Sequence, residues 1–345
     1  MIAWQRRHGR HDLPWQNTRD AYRIWVSEIM LQQTQVAAVI GYYARFMQRF
    51  PDVASLAGAS QDEVMRYWAG LGYYSRARNL HQAACIVMEQ WRGVMPAHAE
   101  QLITLPGIGR STAAAIAVFA HGARAAILDG NVKRVMARHF GVDGYPGEKK
   151  VEEALWERVS GLLPKTGSET YTQGLMDLGA TLCTRTRPAC TACPLQRTCV
   201  ARRDGRTAEL PVRKPKKALP HKRCVMLVFT RGREVLLEKR PSSGIWGGLW
   251  CLPQFESEAD ARRWIERAGE EWKHRRALEP IEHGFTHYRL TIQPIVLNSG
   301  KSSTRRSAAN TLEASAPGRL WLDPADAAQA ALPAPVKKLI LSLAG

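Results

Sequence analysis

The sequence predicts a multidomain chain: an all-α N-terminal domain closed by a cysteine-rich loop, followed by a smaller α/β domain. Three observations carry this. Apolar residues recur at helical spacing from residue 21 to beyond residue 130. Four of the seven cysteines crowd into residues 183–199. After a Lys-, Arg- and Pro-rich stretch at 204–222 the apolar period shortens to that of strands. A chain of 345 residues has room for two cores. The expected boundaries are 1–203 for the helical domain, 204–222 for a basic interdomain linker, and 223–345 for the second domain.

Charge narrows the class of partner. Lys and Arg number 49 against 31 Asp and Glu, a formal net charge of +18. That excess suits a polyanion, either nucleic acid or an acidic membrane surface. No apolar run reaches membrane-spanning length. The start, MIAWQRRHGRHDLPW, has no apolar core after its charges and does not read as a secretory signal. The expectation is a cytoplasmic protein with no membrane partner, whose cysteines are poor disulfide candidates. Nothing in the sequence calls for more than a monomer.

Taken in order, the first turn falls at residues 12–15. Asp20 can cap the helix AYRIWVSEIMLQ, in which Tyr22, Trp25, Val26, Ile29 and Met30 give a wide apolar face. Glu28 lies at the margin of that face. It is solvated surface if the margin is open. If the margin closes into a pocket, desolvation raises its pKa until it holds a proton near neutral pH. Gln32, Gln33 and Thr34 interrupt the pattern before a second helix over 35–50, which Pro51 stops. Two further helices are expected over 60–68 and 75–91. Between them the turn GLGYY (70–74) pushes large side chains outward. Leu71 and Tyr73 there read either as wedges between bases or as packing at a helix corner.

Residues 105–134, LPGIGRSTAAAIAVFAHGARAAILDGNVKR, form the organising centre. Gly107 and Gly109 permit a sharp turn and a close backbone approach. The helix that follows, over about 110–120, offers free N–H groups with Arg110 and Ser111 at the same end, which suits a phosphate. The bland alternative is a helical corner that only packs. Asp129 ends an apolar run and can cap the helix VKRVMARHF. Tied to backbone N–H groups it would stay ionised and could stabilise positive charge on a sugar. Glu28 and Asp129 would then be an acid and an anion in one site, but only the fold can bring them together.

Cys183, Cys190, Cys193 and Cys199 are spaced C-x6-C-x2-C-x5-C, a metal or cluster site. Four thiolates would also suit zinc. Cys85, Cys224 and Cys251 lack such spacing and read as isolated buried thiols. Beyond the linker, CVMLVFT, EVLLEKR, GLWCLPQFE and YRLTIQPIVL read as strands, with helices near 259–268 and 336–343. Residues 299–318 form a polar, low-complexity loop.

LPGIGRSTA followed by ILDGNVKRV resembles the hairpin and catalytic aspartate of helix-hairpin-helix DNA glycosylases, and the MutY-type adenine glycosylases most closely. SEIMLQQTQV is similar to the segment of that family that holds the catalytic glutamate and probes the opened duplex. GLGYYSRARNL is similar to the loop whose first tyrosine enters the base stack. The cysteine spacing resembles the [4Fe-4S] loop of endonuclease III and MutY proteins. GIWGGLWCLPQFE resembles the start of a MutT-like, Nudix-type fold, and GFTHYRL the loop that reads oxidised guanine.

The resemblance implies an all-α glycosylase domain, with its hairpin over about 98–120, and an α/β mismatch-recognition domain. It implies removal of adenine opposite 8-oxoguanine or guanine in double-stranded DNA, with Glu28 and Asp129 catalytic and one [4Fe-4S] cluster on the four cysteines. Gln32, Gln33, Leu71, Tyr73, Arg76, Gly107, Gly109, Arg110, Ser111 and Lys133 would meet DNA, and Phe285, Thr286 and His287 the oxidised guanine. Arg78 would lie beside Arg76 near the phosphates.

Two departures shape the reading. Endonuclease III-like relatives, which excise pyrimidines and cut the strand, carry a lysine nucleophile where this chain has Ser111. A hydroxyl cannot form a Schiff base, so base removal without efficient strand cleavage is expected. SEADARRWIERAGEE lacks the paired glutamates of a Nudix hydrolase, so the second domain reads as binding without hydrolysis, against a nucleotide pyrophosphatase. A catalytically silent DNA-binding iron-sulfur protein would keep every binding motif but would not need the two carboxylates.

Overall fold

The computed structural model describes residues 1–214, 218–299, 318–328 and 330–343. Their contacts divide them into two compact units, Met1–Gly58 with Asn79–Lys216, and Ala59–Arg78 with Lys217–Gly345. The expected loop at 299–318 lies outside the described residues apart from its ends. Among the described residues no helix is long and apolar enough to cross a membrane.

The helices in chain order are α1 (Ile2–His8), α2 (Ala21–Leu31), α3 (Val36–Arg49), α4 (Val53–Ala57), α5 (Gln61–Trp68), α6 (Ser75–Trp91), α7 (Ala99–Leu102), α8 (Arg110–His121), α9 (Gly130–His139), α10 (Lys149–Gly161), α11 (Ser168–Thr181) and α12 (Val200–Arg203). Asp20 caps α2 as expected, accepting from the N–H groups of Tyr22 and Arg23. Buried Ala113, Ala114, Ala115 and Ala117 keep α8 slim, and α2 packs directly on it. α9 lies against α11, and Leu128, Val132, Val135, Leu155, Leu175 and Leu178 fill the core around them. Helices α1, α4, α10, α11 and α12 were not expected from the sequence, whereas α7 and α8 are the two arms of the expected hairpin. Three of the unexpected ones have seven residues or fewer, too short for a periodic pattern.

The second unit carries an eight-stranded mixed sheet with α13 (Glu258–Arg267) and α14 (Ala334–Leu341). Its strands are β1 (His221–Arg231), β2 (Glu234–Lys239), β3 (Trp250–Cys251), β4 (Gln254–Phe255), β5 (Arg276–Ala277), β6 (Ile281–Gly284), β7 (Arg289–Asn298) and β8 (Arg319–Leu322). β1 and β7 pair in parallel along their length, from His221 opposite Arg289 to Thr230 opposite Asn298. Val225, Leu227 and Phe229 alternate onto one face and meet Ala261 and Ile265 of α13. The single strand expected over GLWCLPQFE is instead two short ones, β3 and β4. Pro253 has no N–H to give a ladder, and its carbonyl turns to accept from Leu227.

The stretch expected as an extended linker is anchored in its first half. Leu210 is buried and its carbonyl accepts from Arg138 Nε at 2.7 Å.

Candidate active site

The helical hairpin forms as the glycines require. Gly107 holds φ +79°, and a Cβ there would lie 2.9 Å from Asn79 Cβ. Buried Ile108 pins the turn from beneath. Gly109 is the N-cap of α8 with no side-chain cap, and nothing lies within 4 Å of where its Cβ would be. The first N–H groups of α8 therefore open onto free space beside exposed Arg110, whose guanidinium lies 4.0 Å from the Trp156 ring centroid. Ser111 departs from its expected place at this end. Its Oγ accepts from Leu128 N–H at 3.1 Å, so the hydroxyl is turned inward and pins the extended segment that delivers Asp129.

Asp129 caps α9. One carboxylate oxygen accepts from Val132 N–H at 2.8 Å and the other from the Asn131 side-chain amide at 3.3 Å. Burial pushes its pKa up, while those donors and the Arg134 guanidinium pull it back. The caps thus oppose burial and do not override it, a weaker hold on the ionised form than capping alone suggests. Glu28, half-buried on α2, has no hydrogen-bond donor among the described residues. Burial and then the charge of Asp129 raise its pKa from 4.5 to about 8. The fold therefore brings the two carboxyls, 101 residues apart in sequence, into one electrostatic pair (129 less 28). The one without donors keeps the proton.

Glu28 lines a pocket of about 630 Å³. Trp15, Leu31 and Phe119 give it apolar walls, and Arg10, Glu169 and Gln173 give it polar ones. None of these wall residues was singled out in the sequence. The one available signal was Asp177, a carboxylate set among the apolar residues of α11 and now fully buried. It holds Arg10 in an ion pair of 2.7 Å.

Beside α9, a second cleft of about 690 Å³ is lined by Lys133, Arg134, Arg185, Arg213 and Lys214. Lys133 pairs with Glu152 at 2.9 Å. Arg185, Arg213 and Lys214 are exposed and make no ion pair among the described residues. Gln32 is half-buried and donates to Thr112 Oγ1 at 3.4 Å, while Gln33 is exposed at φ +58°.

The four clustered cysteines line one cavity with Arg138 and Arg202, and all are free thiols. No three of them are arranged to hold a single metal ion among the described residues. Arg138, buried, donates to Cys183 Sγ at 3.4 Å and to the carbonyls of Thr184 and Arg185. Arg134 spans from this loop to the amide beside Asp129: Nε donates to Cys183 O at 2.7 Å, and Nη2 to Asn131 Oδ1 at 2.8 Å and Gly179 O at 2.7 Å. Gly179 cannot carry a side chain, since its Cβ would lie 2.6 Å from Asn131 Cβ.

In the other unit, Tyr73 stands at the tip of the 70–74 turn, 40% exposed at φ +47°. Two expected neighbours do not face outward with it. Leu71 is buried. Arg76 is buried too, its guanidinium donating to the carbonyls of Leu71 and Gly72 and lying 5.4 Å from the Tyr73 ring centroid. It buttresses the turn and does not reach for phosphate. Arg78 likewise donates to Gly247 O.

The 285–287 loop joins β6 to β7, closed by Phe285 N–H on Tyr288 O. Phe285 stacks on Tyr288 at 4.7 Å and packs on Trp246, while Thr286 and His287 are exposed. On α13, Glu266 pairs with Arg262, Asp260 with Arg263, and Glu258 with Arg275.

Residues 26–160 match the HhH-GPD superfamily of base excision DNA repair proteins, and residues 224–342 match a NUDIX domain. The adenine DNA glycosylase of Buchnera aphidicola (subsp. Acyrthosiphon pisum) is 36% identical over 86% of this chain and 85% of its own length. The human adenine DNA glycosylase is 33% identical over 98% of this chain and 72% of its own. Among solved structures, a thermostable thymine-DNA glycosylase superposes with a TM-score of 0.54 at 29% identity, covering 59% of this chain and 93% of that one.

Proposed function

Because the chain belongs to the adenine DNA glycosylases, we propose that the pocket beside Glu28 receives an adenine flipped out of the duplex and that Glu28 and Asp129 cleave it from the sugar. The enzyme is a base-excision-repair DNA N-glycosylase, and DNA is its partner. The observation that carries the roles is the split between the carboxyls: Glu28 raised to about 8, Asp129 held by donors. Glu28, protonated, donates to a ring nitrogen of adenine. The N9–C1′ electron pair leaves with the base. Asp129, ionised, stabilises the positive charge that develops on the sugar. Water then bonds to C1′, and the Glu28 carboxylate accepts its proton, which restores the acid.

Strand cleavage is not expected to be efficient. Ser111 offers no amine and its hydroxyl is engaged, and Lys133 is paired with Glu152. The exposed cations of the α9 cleft, with Gly109 and Arg110, are read as the phosphate track. Gln33 and Tyr73 are read as probes of the opened stack. Opposite the adenine, Thr286 and His287 would meet 8-oxoguanine, with Phe285 as the aromatic anchor of their loop. The three carboxylates of α13 each face an arginine and are not gathered around one point, which favours recognition over hydrolysis there.

The thiols fit a [4Fe-4S] cluster better than zinc. Zinc needs all four sulfurs about 2.3 Å from one point, whereas no three of these are arranged around a single ion among the described residues, and an arginine donates to one of them. Bound there, the cluster would supply a rigid crosslink for the loop. Equal iron and acid-labile sulfide in the purified protein would support this, and stoichiometric zinc would overturn it. The chain is read as monomeric and cytoplasmic.

The deciding experiment is single-turnover release from duplexes with A opposite 8-oxoguanine or guanine. Glu28→Gln should slow release by about 10³- to 10⁴-fold and leave duplex affinity within a few-fold. Near-wild-type release would remove Glu28 from the mechanism. Thr286→Ala with His287→Ala should reduce the preference for 8-oxoguanine over guanine by about 10-fold.

A further inference from the structure

Arg10 is the less exposed of the two ion-paired arginines at the Glu28 pocket, its side chain 25% against 66% for Arg19. Both oxygens of Asp177 hold it: Oδ1 accepts from Arg10 Nε at 2.7 Å, and Oδ2 from Arg10 backbone N–H at 3.0 Å. Asp177 is fully buried, and Gln173 Nε2 donates to the same Oδ1 at 2.9 Å. The backbone is shaped to allow this. A Cβ on Gly9 would sit 2.9 Å from Asp177 Oδ2 and 2.6 Å from Gln5 O, so only glycine lets the chain leave α1 this close to α11.

The Arg10 side chain is 25% exposed and lines the pocket. Its Nε is used. Its two terminal amino groups have no acceptor among the described residues, on a guanidinium whose plane the Asp177 contact fixes. A buried carboxylate with three donors is costly to assemble if all it does is hold a surface arginine.

We propose that Arg10 donates through Nη to an acceptor nitrogen of the flipped adenine, N1 or N3, and that Asp177 is the positioning residue for that contact. As the N9–C1′ bond breaks, its electron pair moves into the purine. A fixed donor on a ring nitrogen stabilises that charge while Glu28 supplies its proton at a different nitrogen. The arrangement also discriminates: a base presenting an N–H at that position would meet a donor with a donor. The inference rests on the Glu28 pocket being the base pocket, and its test is built to separate the two.

Single-turnover release is measured for wild type, Arg10→Gln and Asp177→Asn on duplexes bearing adenine, 1-deazaadenine or 3-deazaadenine. Arg10→Gln should slow adenine release by about 10- to 100-fold, the range for a lost charged hydrogen bond. Duplex affinity should change less than about 3-fold. On the one analogue lacking the contacted nitrogen, wild type should already be slow and the variant should add little. Asp177→Asn should reproduce that pattern in weaker form. If it does not fold, Arg10→Gln carries the test alone. An equal penalty on adenine and on both analogues, or a penalty confined to duplex affinity, would overturn the proposal. Wild-type release by Glu28→Gln would instead overturn the pocket assignment itself.

Discussion

Two sets of helix-borne carboxylates in this chain have opposite environments. On α13, Glu258, Asp260 and Glu266 are exposed or nearly so, and each has an arginine partner. Around α2 and α9, Glu28 and Asp129 are withdrawn from water, and Glu28 has no ion-pair partner or donor among the described residues. Solvated, neutralised carboxylates have ordinary proton affinities and little chemistry to offer. Desolvated ones facing each other have proton affinities driven upward, and the cost of burying them is retained only where the chemistry needs it. The contrast points to desolvation, and not the number of acidic residues, as the mark of the candidate centre.

The sharpest test of this contrast is Asp129→Asn, which keeps the cap shape and removes the charge. Adenine release should fall by about 10²- to 10³-fold in single-turnover assays, with the Glu28 pKa lowered because its neighbour's charge is gone. A variant that keeps its rate would mean that the sugar cation needs no anion. Gly179→Ala tests the pair from a distance. Its new Cβ would press on Asn131 and disturb the amide that donates to Asp129. Release should slow by up to about 100-fold, as a displacement near 1 Å can do, with about 1–3 kcal/mol lost from folding.

The same contrast makes a stability prediction. Glu28 titrates near 4.5 unfolded and about 8 folded. The folded state thus holds a proton that the unfolded chain releases. The stabilisation from that proton is full below about pH 4.5 and is lost as pH rises through about 8. Glu28→Gln escapes this loss. Its thermal midpoint should exceed that of wild type by about 2–4 °C at pH 8, near 1 kcal/mol, and by less at pH 5. Wild-type release should also fall as pH rises through about 8, because the acid form disappears. At the other end of the scale, Glu258→Gln with Glu266→Gln should leave release within about 2-fold, with or without magnesium. A large loss there would erase the contrast.

Much of the centre was legible in order along the chain. The turn glycines, the cap at Asp129 and the cysteine spacing are local features, and local physics fixes them. Arg10 and Asp177 were not legible, because their bond joins residues 167 positions apart and neither sits in a patterned motif. Arg76 misled for a related reason: a cation beside an exposed turn looks like a phosphate contact until its carbonyl partners are seen. The β3 and β4 break was visible in Pro253, whose missing N–H outweighs the apolar run around it. Strands of two to four residues, such as β5, β6 and β8, carry too few positions to show alternation.

Helix α11 has a wider consequence. Its first half lines the Glu28 pocket through Glu169 and Gln173, its middle seats Asp177 under Arg10, and Gly179 near its end abuts Asn131 beside Asp129. One rigid rod thus gauges two distances at once. On the roles proposed for Arg10 and Asp129, a slip of this helix along its axis would misplace both together. The walls off the rod, Trp15, Leu31 and Phe119, are where a change of pocket shape would leave Asp129 in register.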